Sequence, residues 1–420
     1  MALHMNNLHN NDDLALARER AASLPLDKFD VSDAELYRTD SHWPYFERLR
    51  KEAPVHFCRE SRYGPYWSLS AYKDIKWVDS HADIFSSDRD ITIFDQPDDF
   101  ELPMFISMDQ PKHHTQRKVV SPVVAPRNLA VLEDTIRQRV CTILDSLPVG
   151  ETFNWVDRVS IDLTTQMLAT LLDFPFEDRE KLTYWSDVAA GGRLSGVVDS
   201  ANHRRKVLME CLEYFQNLWQ QRADRPPNND LISMLAHGEA TRNMPPLEYL
   251  GNLVLLIVGG NDTTRNSITG GVLALNQFPE QYEKLLNDPS VIPNMVAEII
   301  RWQTPLPHMR RTALEDVEIN GEQIHKGDKV IMWYISGNRD ETQFKDANQL
   351  IIDRKNARSH VSFGFGIHRC MGNRMAEMQL RVLWEEILPR FRVEVVGKPV
   401  RVRSNLIRGY SQLPVRIKPY

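Results

Sequence analysis

One short segment that contains a cysteine constrains this chain more than any other part of its sequence. Residues 362–372 read Ser-Phe-Gly-Phe-Gly-Ile-His-Arg-Cys-Met-Gly, and a run of helix-forming residues follows them. Gly364 and Gly366 permit positive φ angles and a close approach of other groups to the backbone. Gly372 and the run after it place Cys370 just before a helix, where backbone N–H groups and the helix dipole favour a thiolate. The segment therefore predicts an anionic sulfur held in a tight loop.

Four interpretations of Cys370 have to be compared. A buried, unreactive thiol is the usual state of a lone cysteine. A zinc site needs three or four ligands, and the segment offers only His368 and Cys370. A dinucleotide-binding turn needs a third glycine, and His-Arg-Cys stands in its place. A haem iron needs such a thiolate as the axial ligand that donates electron density toward O–O bond cleavage. The zinc and dinucleotide interpretations fail on these grounds, and the rest of the sequence decides between the other two.

The composition excludes several broad classes of protein. The chain is 42% hydrophobic and 26% charged, as in ordinary globular proteins, and its net charge of −6 argues against a nucleic-acid partner. The longest apolar run, residues 253–258, is too short to span a membrane. Cys58, Cys141, Cys211 and Cys370 lie far apart, which argues against a zinc cluster or a disulfide framework. We therefore expect a cytoplasmic protein without a membrane span.

Helical patterns dominate the chain, with a smaller amount of strand. Helices are predicted near residues 71–80, 128–147, 158–173, 178–190, 202–222, 228–237, 246–277 and 291–302, and from Cys370 to about 389. Strands are predicted at 55–59 and 66–70, in a small sheet with an Asn320-Gly321 hairpin over 311–335, and in hairpins over 391–419. The predicted fold class is mainly α with a minor β region. A single domain over 31–420 follows a polar N-terminal segment, 1–30.

The longest predicted helix contains a sequence that is unfavourable for a helix. Gly259-Gly260-Asn261-Asp262-Thr263-Thr264 interrupts an apolar run, and each interior glycine costs about 1 kcal/mol relative to alanine. Such a local conflict often marks a functional site. The Thr263 hydroxyl can compete for a backbone carbonyl one turn back and open a groove for dioxygen and water. The alternative is a packing contact between helices next to a solvated Asp262.

Three further patterns carry charge at helical spacing. Glu298 and Arg301 are three residues apart and can pair on one helix face, although a surface ion pair is the common explanation. Asp109 is predicted to cap a helix in which His113 and Arg117 share a face. Arg311 opens an Arg-Thr-Ala-Leu-Glu-Asp stretch. Taken singly, these cations are expected to face solvent.

Together these motifs resemble those of the cytochrome P450 family. The pattern Phe-Gly-x-Gly-x-His-x-Cys-x-Gly matches the family's cysteine loop at every fixed position, and the other motifs follow in the family's order. From about residue 31 onward the chain is most similar to the bacterial soluble alkane and fatty-acid terminal hydroxylases. The strings responsible are 255–267, 298–306, 332–334 and 360–374. The resemblance implies the cytochrome P450 fold, with haem between the long central helix and the cysteine loop.

The resemblance also assigns roles to individual residues. It implies haem b as the cofactor, Cys370 as the iron ligand and Asp262 with Thr263 as the acid–alcohol pair that delivers protons to bound oxygen. The implied cofactor-binding residues are His113, Arg117, Arg311, Phe363, His368 and Cys370. The Glu298–Arg301 pair is implied to be buried and completed by a third polar residue. Many relatives have an arginine where this chain has Gln349, so the third member stays open.

The implied reaction is hydroxylation of the terminal carbon of medium-chain n-alkanes or fatty acids by dioxygen. The predicted substrate contacts are Leu102, Met104, Phe105, Val258, Gly259, Leu306, Leu406 and Ile407, and Pro307 replaces an alanine of many relatives. Other small apolar substrates such as terpenes, a partner-independent peroxygenase or dehydratase, and a non-catalytic haem sensor are the alternatives.

No flavin or iron–sulfur motif occurs in this chain, so its electrons must come from other proteins. The expected partners are a ferredoxin and an NAD(P)H-dependent ferredoxin reductase. A basic cluster, Arg354, Lys355, Arg358, Arg369 and Arg374, is predicted to dock the ferredoxin, unless it is only a solvated loop. The family expectation is a monomer.

Overall fold

The computed structural model describes residues 11–191 and 196–420. Helices predominate, as predicted. In chain order they are α1 (Asn11–Ser23), α2 (Ala34–Arg38), α3 (Trp43–Glu52), α4 (Tyr72–Ser80), α5 (Lys112–Val120), α6 (Pro126–Asp145), α7 (Asp162–Leu172), α8 (Glu180–Gly191), α9 (Ala201–Ala223), α10 (Leu231–His237), α11 (Pro246–Gln277), α12 (Pro279–Asn287), α13 (Ile292–Gln303), α14 (Tyr334–Gly337) and α15 (Asn373–Ile387). A π-helical segment, Val156–Ile161, leads into α7, where one continuous helix was predicted.

The strands of the described residues are short and lie in four sheets, the largest of which has five strands. They are β1 (Val55–Cys58), β2 (Tyr66–Leu69), β3 (Phe85–Ser86), β4 (Thr152–Asn154), β5 (Met309–Ala313), β6 (Val317–Ile319), β7 (Glu322–Ile324), β8 (Lys329–Met332), β9 (Phe391–Val395), β10 (Val400–Arg401), β11 (Tyr410–Gln412) and β12 (Pro414–Pro419). The main sheet has the order β1-β2-β8-β5-β3, in which only the β2–β8 pair is parallel. The β6–β7 hairpin turns at Asn320 and Gly321, both at positive φ, as the sequence predicts.

One sequence prediction about a helix start is wrong, and one helix begins where none was predicted. Asp109 does not cap α5, which begins at Lys112, because its carboxylate accepts the N–H of Ser87 at 2.9 Å and the hydroxyl of Ser86. The helix α1 lies inside the predicted polar segment 1–30, of which residues 1–10 are outside the described residues. Ala17 and Ala21, one turn apart, are buried against α3, so a short apolar stripe is enough to hold α1 in place.

The long helix α11 has the predicted bounds and runs through the centre of the packing. It contacts α7, α8, α13 and α15, and apolar side chains from these helices form the two largest hydrophobic clusters. The cysteine segment lies just before α15, so α11 and Cys370 bound a common space. Over the described residues, no helix combines the length and the hydropathy needed to cross a bilayer.

Candidate active site

A cavity of about 670 Å³ lies between α11 and the segment that carries Cys370. All eight residues predicted to contact substrate line it: Leu102, Met104, Phe105, Val258, Gly259, Leu306, Leu406 and Ile407. Pro305 joins this lining, but Pro307 lies buried outside it and its carbonyl accepts the N–H of Ile335 at 3.1 Å. The departure from relatives at Pro307 therefore does not alter the cavity wall directly.

Backbone geometry shapes the cysteine loop as the sequence predicts. Gly364 and Gly366 both have φ of 66°. A Cβ atom on Gly366 would lie 2.2 Å from the carbonyl oxygen of Asp79, so no other residue fits there. The N–H of Cys370 donates to the carbonyl of Phe363 at 2.7 Å and closes the loop.

The surroundings of the Cys370 sulfur shift the pKa of its thiol in opposite directions. Burial raises the pKa of the Cys370 thiol, and the N–H groups of Gly372 and Asn373 with the cation of Arg117 oppose this only in part. The accessible surface of Cys370 faces the cavity. A cationic metal at the sulfur would supply the missing stabilisation, because a coordinating thiol loses its proton outright.

The buried carboxylate of Asp79, at the end of α4, ties the loop to the sheet. One of its oxygens accepts from Arg311 at 2.6 Å, and the other accepts from the hydroxyl of Tyr334 at 2.8 Å and the N–H of Phe365 at 2.7 Å. Both Asp79 and Arg311 are almost fully buried. No sequence motif pointed to Asp79, because its three partners lie more than 200 residues away along the chain.

Three of the predicted basic residues line the cavity: Arg117, Arg311 and His368. Burial, followed by the nearby basic residues Arg311, His113 and Arg117, lowers the pKa of His368 to about 2, so its ring is neutral. Neither ring nitrogen of this buried residue has a partner among the described residues. The ring is thus available to donate one hydrogen bond to a group in the cavity.

His113 stands behind this wall rather than in it. Its ring centroid is 4.1 Å from that of His368. Its Nδ1 lies 2.7 Å from the carbonyl oxygen of Phe105 and its Nε2 3.2 Å from that of Ile367. Both ring nitrogens of His113 therefore already have a backbone carbonyl as a partner.

On α11, Thr263 and Asp262 point in different directions. The Thr263 hydroxyl lines the cavity and donates to the carbonyl of Gly259 at 3.0 Å, as predicted, but α11 continues without the predicted opening. Asp262 is buried away from the cavity. One of its oxygens lies 2.6 Å from Arg265 and the other accepts from Ser186 at 3.1 Å. Burial raises the pKa of Asp262 to about 6, despite the opposing effect of Arg265.

A family model described as Cytochrome P450 matches residues 132–418. The chain belongs to the cytochrome P450 family. Its curated relatives include linalool 8-monooxygenase of Pseudomonas putida, 36% identical over 94% of this P450 and all of the relative. Methyl-branched lipid omega-hydroxylase of Mycobacterium tuberculosis is 33% identical over 88% of this P450 and 90% of the relative.

Two solved structures of bacterial P450s resemble this P450 in sequence and in fold. Cytochrome P450-153 from Novosphingobium aromaticivorans is 49% identical, with a TM-score of 0.88 over 93% of this chain and 99% of that chain. CYP153D17 from Sphingomonas sp. PAMC 26605 is 51% identical, with a TM-score of 0.89 over 94% of this chain and all of that chain. The predicted resemblance to the alkane and fatty-acid hydroxylase branch is confirmed.

The residues present fit haem b, the cofactor of the family. The sulfur of Cys370 faces the cavity, and a bound metal cation would offset the effect of burial, which raises the pKa of the thiol. Arg117, Arg311 and the unpartnered His368 supply donors for two carboxylates along the same wall. The donor set is therefore the one that an iron porphyrin with two propionates requires.

The Glu298–Arg301 pair of the P450 is fully buried, as predicted, with two 2.7 Å contacts. The third member is Arg354, whose Nε lies 3.0 Å and 3.1 Å from the two oxygens of Glu298. Gln349 contributes only its backbone carbonyl, which accepts from Arg301 and Arg354. Arg354 is therefore removed from the basic docking cluster to which the sequence assigned it.

Proposed function

We propose that this P450 hydroxylates the terminal carbon of medium-chain alkanes or fatty acids, with electrons from a ferredoxin. The observation that carries the proposal is a cavity that joins the Cys370 sulfur to a wall of apolar side chains. Terminal attack is harder than attack on internal C–H bonds, so it needs a channel that presents only the chain end. The name of the methyl-branched lipid omega-hydroxylase, a relative, describes oxidation at a chain end.

Bound haem supplies the activation of dioxygen and the oxidation of the C–H bond. Cys370 holds the iron, and Arg117, Arg311 and His368 hold the propionates. The overall reaction inserts one oxygen atom of dioxygen into the C–H bond and reduces the other to water, with two electrons and two protons.

The chain's own residues deliver the two protons. Thr263 presents its hydroxyl to the cavity, while Asp262 on the adjacent position reaches back to Arg265 and Ser186. A carboxylic acid with a pKa of about 6 exchanges protons readily near neutral pH. The partly exposed Asp187 of α8 lies 2.6 Å from Arg265 and connects the Asp262–Arg265 ion pair to the surface.

The assignment of the thiolate is tested by spectroscopy of the purified protein. Reduced and exposed to carbon monoxide, the P450 should show the long-wavelength Soret band of a thiolate-ligated haem, and Cys370→Ala should abolish that band. A band that survives in the variant contradicts the assignment. Cys211→Ala is the matched control, because Cys211 is buried in the second hydrophobic cluster and does not line the cavity.

The substrate class is tested by spin-shift titration with homologous n-alkanes and fatty acids, followed by product analysis. We expect saturable shifts and products hydroxylated at the terminal carbon. Products dominated by internal positions contradict the proposal. A terpene alcohol is the second candidate, because linalool 8-monooxygenase is 36% identical over nearly the whole chain. Linalool binding that is tighter than that of every alkane and fatty acid favours this candidate.

A ferredoxin is the proposed electron donor, and it docks near the cysteine loop. Lys355, Arg358, Arg369 and Arg374 are exposed there, and the apolar side chains of Phe365 and Ile367 are each 38% exposed. Turnover with an acidic ferredoxin should fall as salt rises. Turnover that is independent of ionic strength removes the electrostatic argument. The four free cysteines support a reducing, cytoplasmic compartment.

A further inference from the structure

One arginine in the cavity wall lacks an acidic partner. Arg204, in the first turn of α9, lines the cavity beside Ala189 and Ala190 of α8. Its guanidinium donates to the carbonyl of Ala189 at 3.3 Å. No carboxylate of the described residues lies within 4.0 Å of it, and residues 1–10 and 192–195 contain no Asp or Glu. Burial lowers the pKa of Arg204, so its charge is held at a cost.

The neighbours of Arg204 on α9 are paired, which makes this residue an exception. His203 lies 3.2 Å from Asp199, Arg205 lies 3.0 Å from Asp99, and Lys206 lies 4.0 Å from Glu210. These partners are on the outside of the protein, where pairing is easy. Arg204 alone turns its charge toward the cavity.

The position of Arg204 in its helix adds to the cost of its charge. The helix dipole places positive potential at the first turn of α9, where acidic residues are favoured and none is present. A cation here repels the dipole instead of balancing it. Both the burial and the helix end therefore favour an anion that comes from outside the chain.

Each of the other arginines that line the cavity either contacts a partner within the protein or is exposed to solvent. Arg311 binds Asp79 and Arg403 binds Glu35 at 3.1 Å. Arg117 donates to the carbonyl of Arg369 and lies near the Cys370 sulfur. Arg62 is exposed. Arg204 is thus the partly buried cation of this wall that no acid or thiolate of the described residues neutralises.

We propose that Arg204 binds the carboxylate of a fatty-acid substrate, an inference that rests on the proposed function. A planar carboxylate can accept two hydrogen bonds from one guanidinium. Arg204 lies on α9, which packs against α8 and α10, whereas Cys370 precedes α15, which packs against α6 and α13; the central helix α11 contacts both α9 and α15. When the carboxylate of a fatty acid is bound at Arg204, the apolar end of the fatty acid can reach the wall that carries Cys370. Arg204 therefore selects acids over alkanes and directs oxidation to the far end.

The test compares dodecanoic acid with its methyl ester, which has the same chain without the charge. Spin-shift titration of the haem-loaded protein gives a Kd for each ligand. Arg204→Leu should raise the Kd of the acid by about tenfold or more, and it should change the Kd of the ester by less than about threefold. A tenfold change in Kd corresponds to about 1.4 kcal/mol. Arg204→Lys should recover part of the acid affinity. Lys206→Met should leave the Kd of both ligands unchanged, because Lys206 is an exposed residue of the same helix and does not line the cavity.

Two further measurements distinguish a role of Arg204 in binding the carboxylate from a purely structural role. Arg204→Leu should not lower the melting temperature, because it removes a charge that has no acidic partner. With the acid, its products should spread from the terminal carbon to internal positions.

Equal loss of acid and ester affinity, or no loss of either, overturns the assignment of Arg204 and leaves the proposed function intact. If the unaltered protein binds neither the acid nor the ester nor n-dodecane, the proposed function is overturned together with the role of Arg204; if it binds n-dodecane but not the acid, only the role of Arg204 is overturned.

Discussion

Asp79→Asn should destabilise this P450 by about 3–5 kcal/mol, the usual cost of removing one partner of a buried ion pair. Arg311 and Asp79 are 4% and 1% exposed, so water cannot replace the lost charge. The amide of an asparagine can turn its oxygen toward Arg311 or toward Phe365, but its NH₂ group then faces the other donor. One buried donor is left without an acceptor in either orientation.

The measurement is the urea midpoint of the haem-loaded protein at neutral pH, followed by circular dichroism and by the Soret band. A folded domain is stable by only about 5–15 kcal/mol, so the expected loss is a large fraction of the total. We expect the Soret band of Asp79→Asn to be lost at a lower urea concentration than the helical signal. The reason is that the cysteine loop is bound directly to Asp79 through the N–H of Phe365.

The matched control is Asp74→Asn, the same substitution on the same helix. Asp74 is buried and accepts one hydrogen bond, from Asn320 at 2.9 Å. Burial raises the pKa of Asp74, and an asparagine oxygen can accept the same bond. This variant should differ from the parent by less than about 1 kcal/mol. If the two variants have the same midpoint, the view that Asp79 carries the loop is refuted.

Three other outcomes follow from the site. Arg354→Met should cost about 3 kcal/mol or more in urea unfolding, while Gln349→Ala should cost less than about 0.5 kcal/mol; the reverse order would return Gln349 to the network. The pKa of Asp262 is about 6 in the folded protein and near 3.9 unfolded, so the folded state alone holds this proton between those values and stability falls as pH rises through them. Asp262→Asn should remove about 2 kcal/mol of that fall, measured as urea midpoints from pH 4.5 to 7; an unchanged slope would contradict the shift. Thr263→Ala should keep consuming dioxygen but yield about tenfold less hydroxylated product, and unchanged coupling of product to NAD(P)H would show that Thr263 delivers no proton.

Patterns that are local in sequence predicted the structure well. The spacing of Glu298 and Arg301 placed them on one helix face, and α13 pairs them in the interior. Gly364 and Gly366 were expected at positive φ, and both are there. In these cases the physical cause, a helix period or a missing Cβ, lies within a few residues.

Contacts between distant segments could not be predicted in this way. Arg354 was interpreted as a surface charge because nothing nearby in sequence indicates that it reaches Glu298, 56 residues earlier. Asp109 fits the pattern of a helix cap, but Ser86 and Ser87 compete for its carboxylate once the strand β3 is in place. Arg204 looks like one basic residue among several until the partners of its neighbours are known.

The wall that we propose to hold the haem, together with the histidine behind it, is assembled from two distant parts of the chain. Arg117 donates to the carbonyl of Arg369, 252 residues later, and His113 lies against Ile367, 254 residues later. At ribosomal rates of about 5–20 residues per second, the first part emerges roughly 10–50 s before the second. A nascent chain therefore exposes cations for the propionates well before it can offer a sulfur to the iron. Porphyrin that arrives during this interval finds no axial ligand, so lasting retention of the cofactor has to wait for synthesis to pass the cysteine.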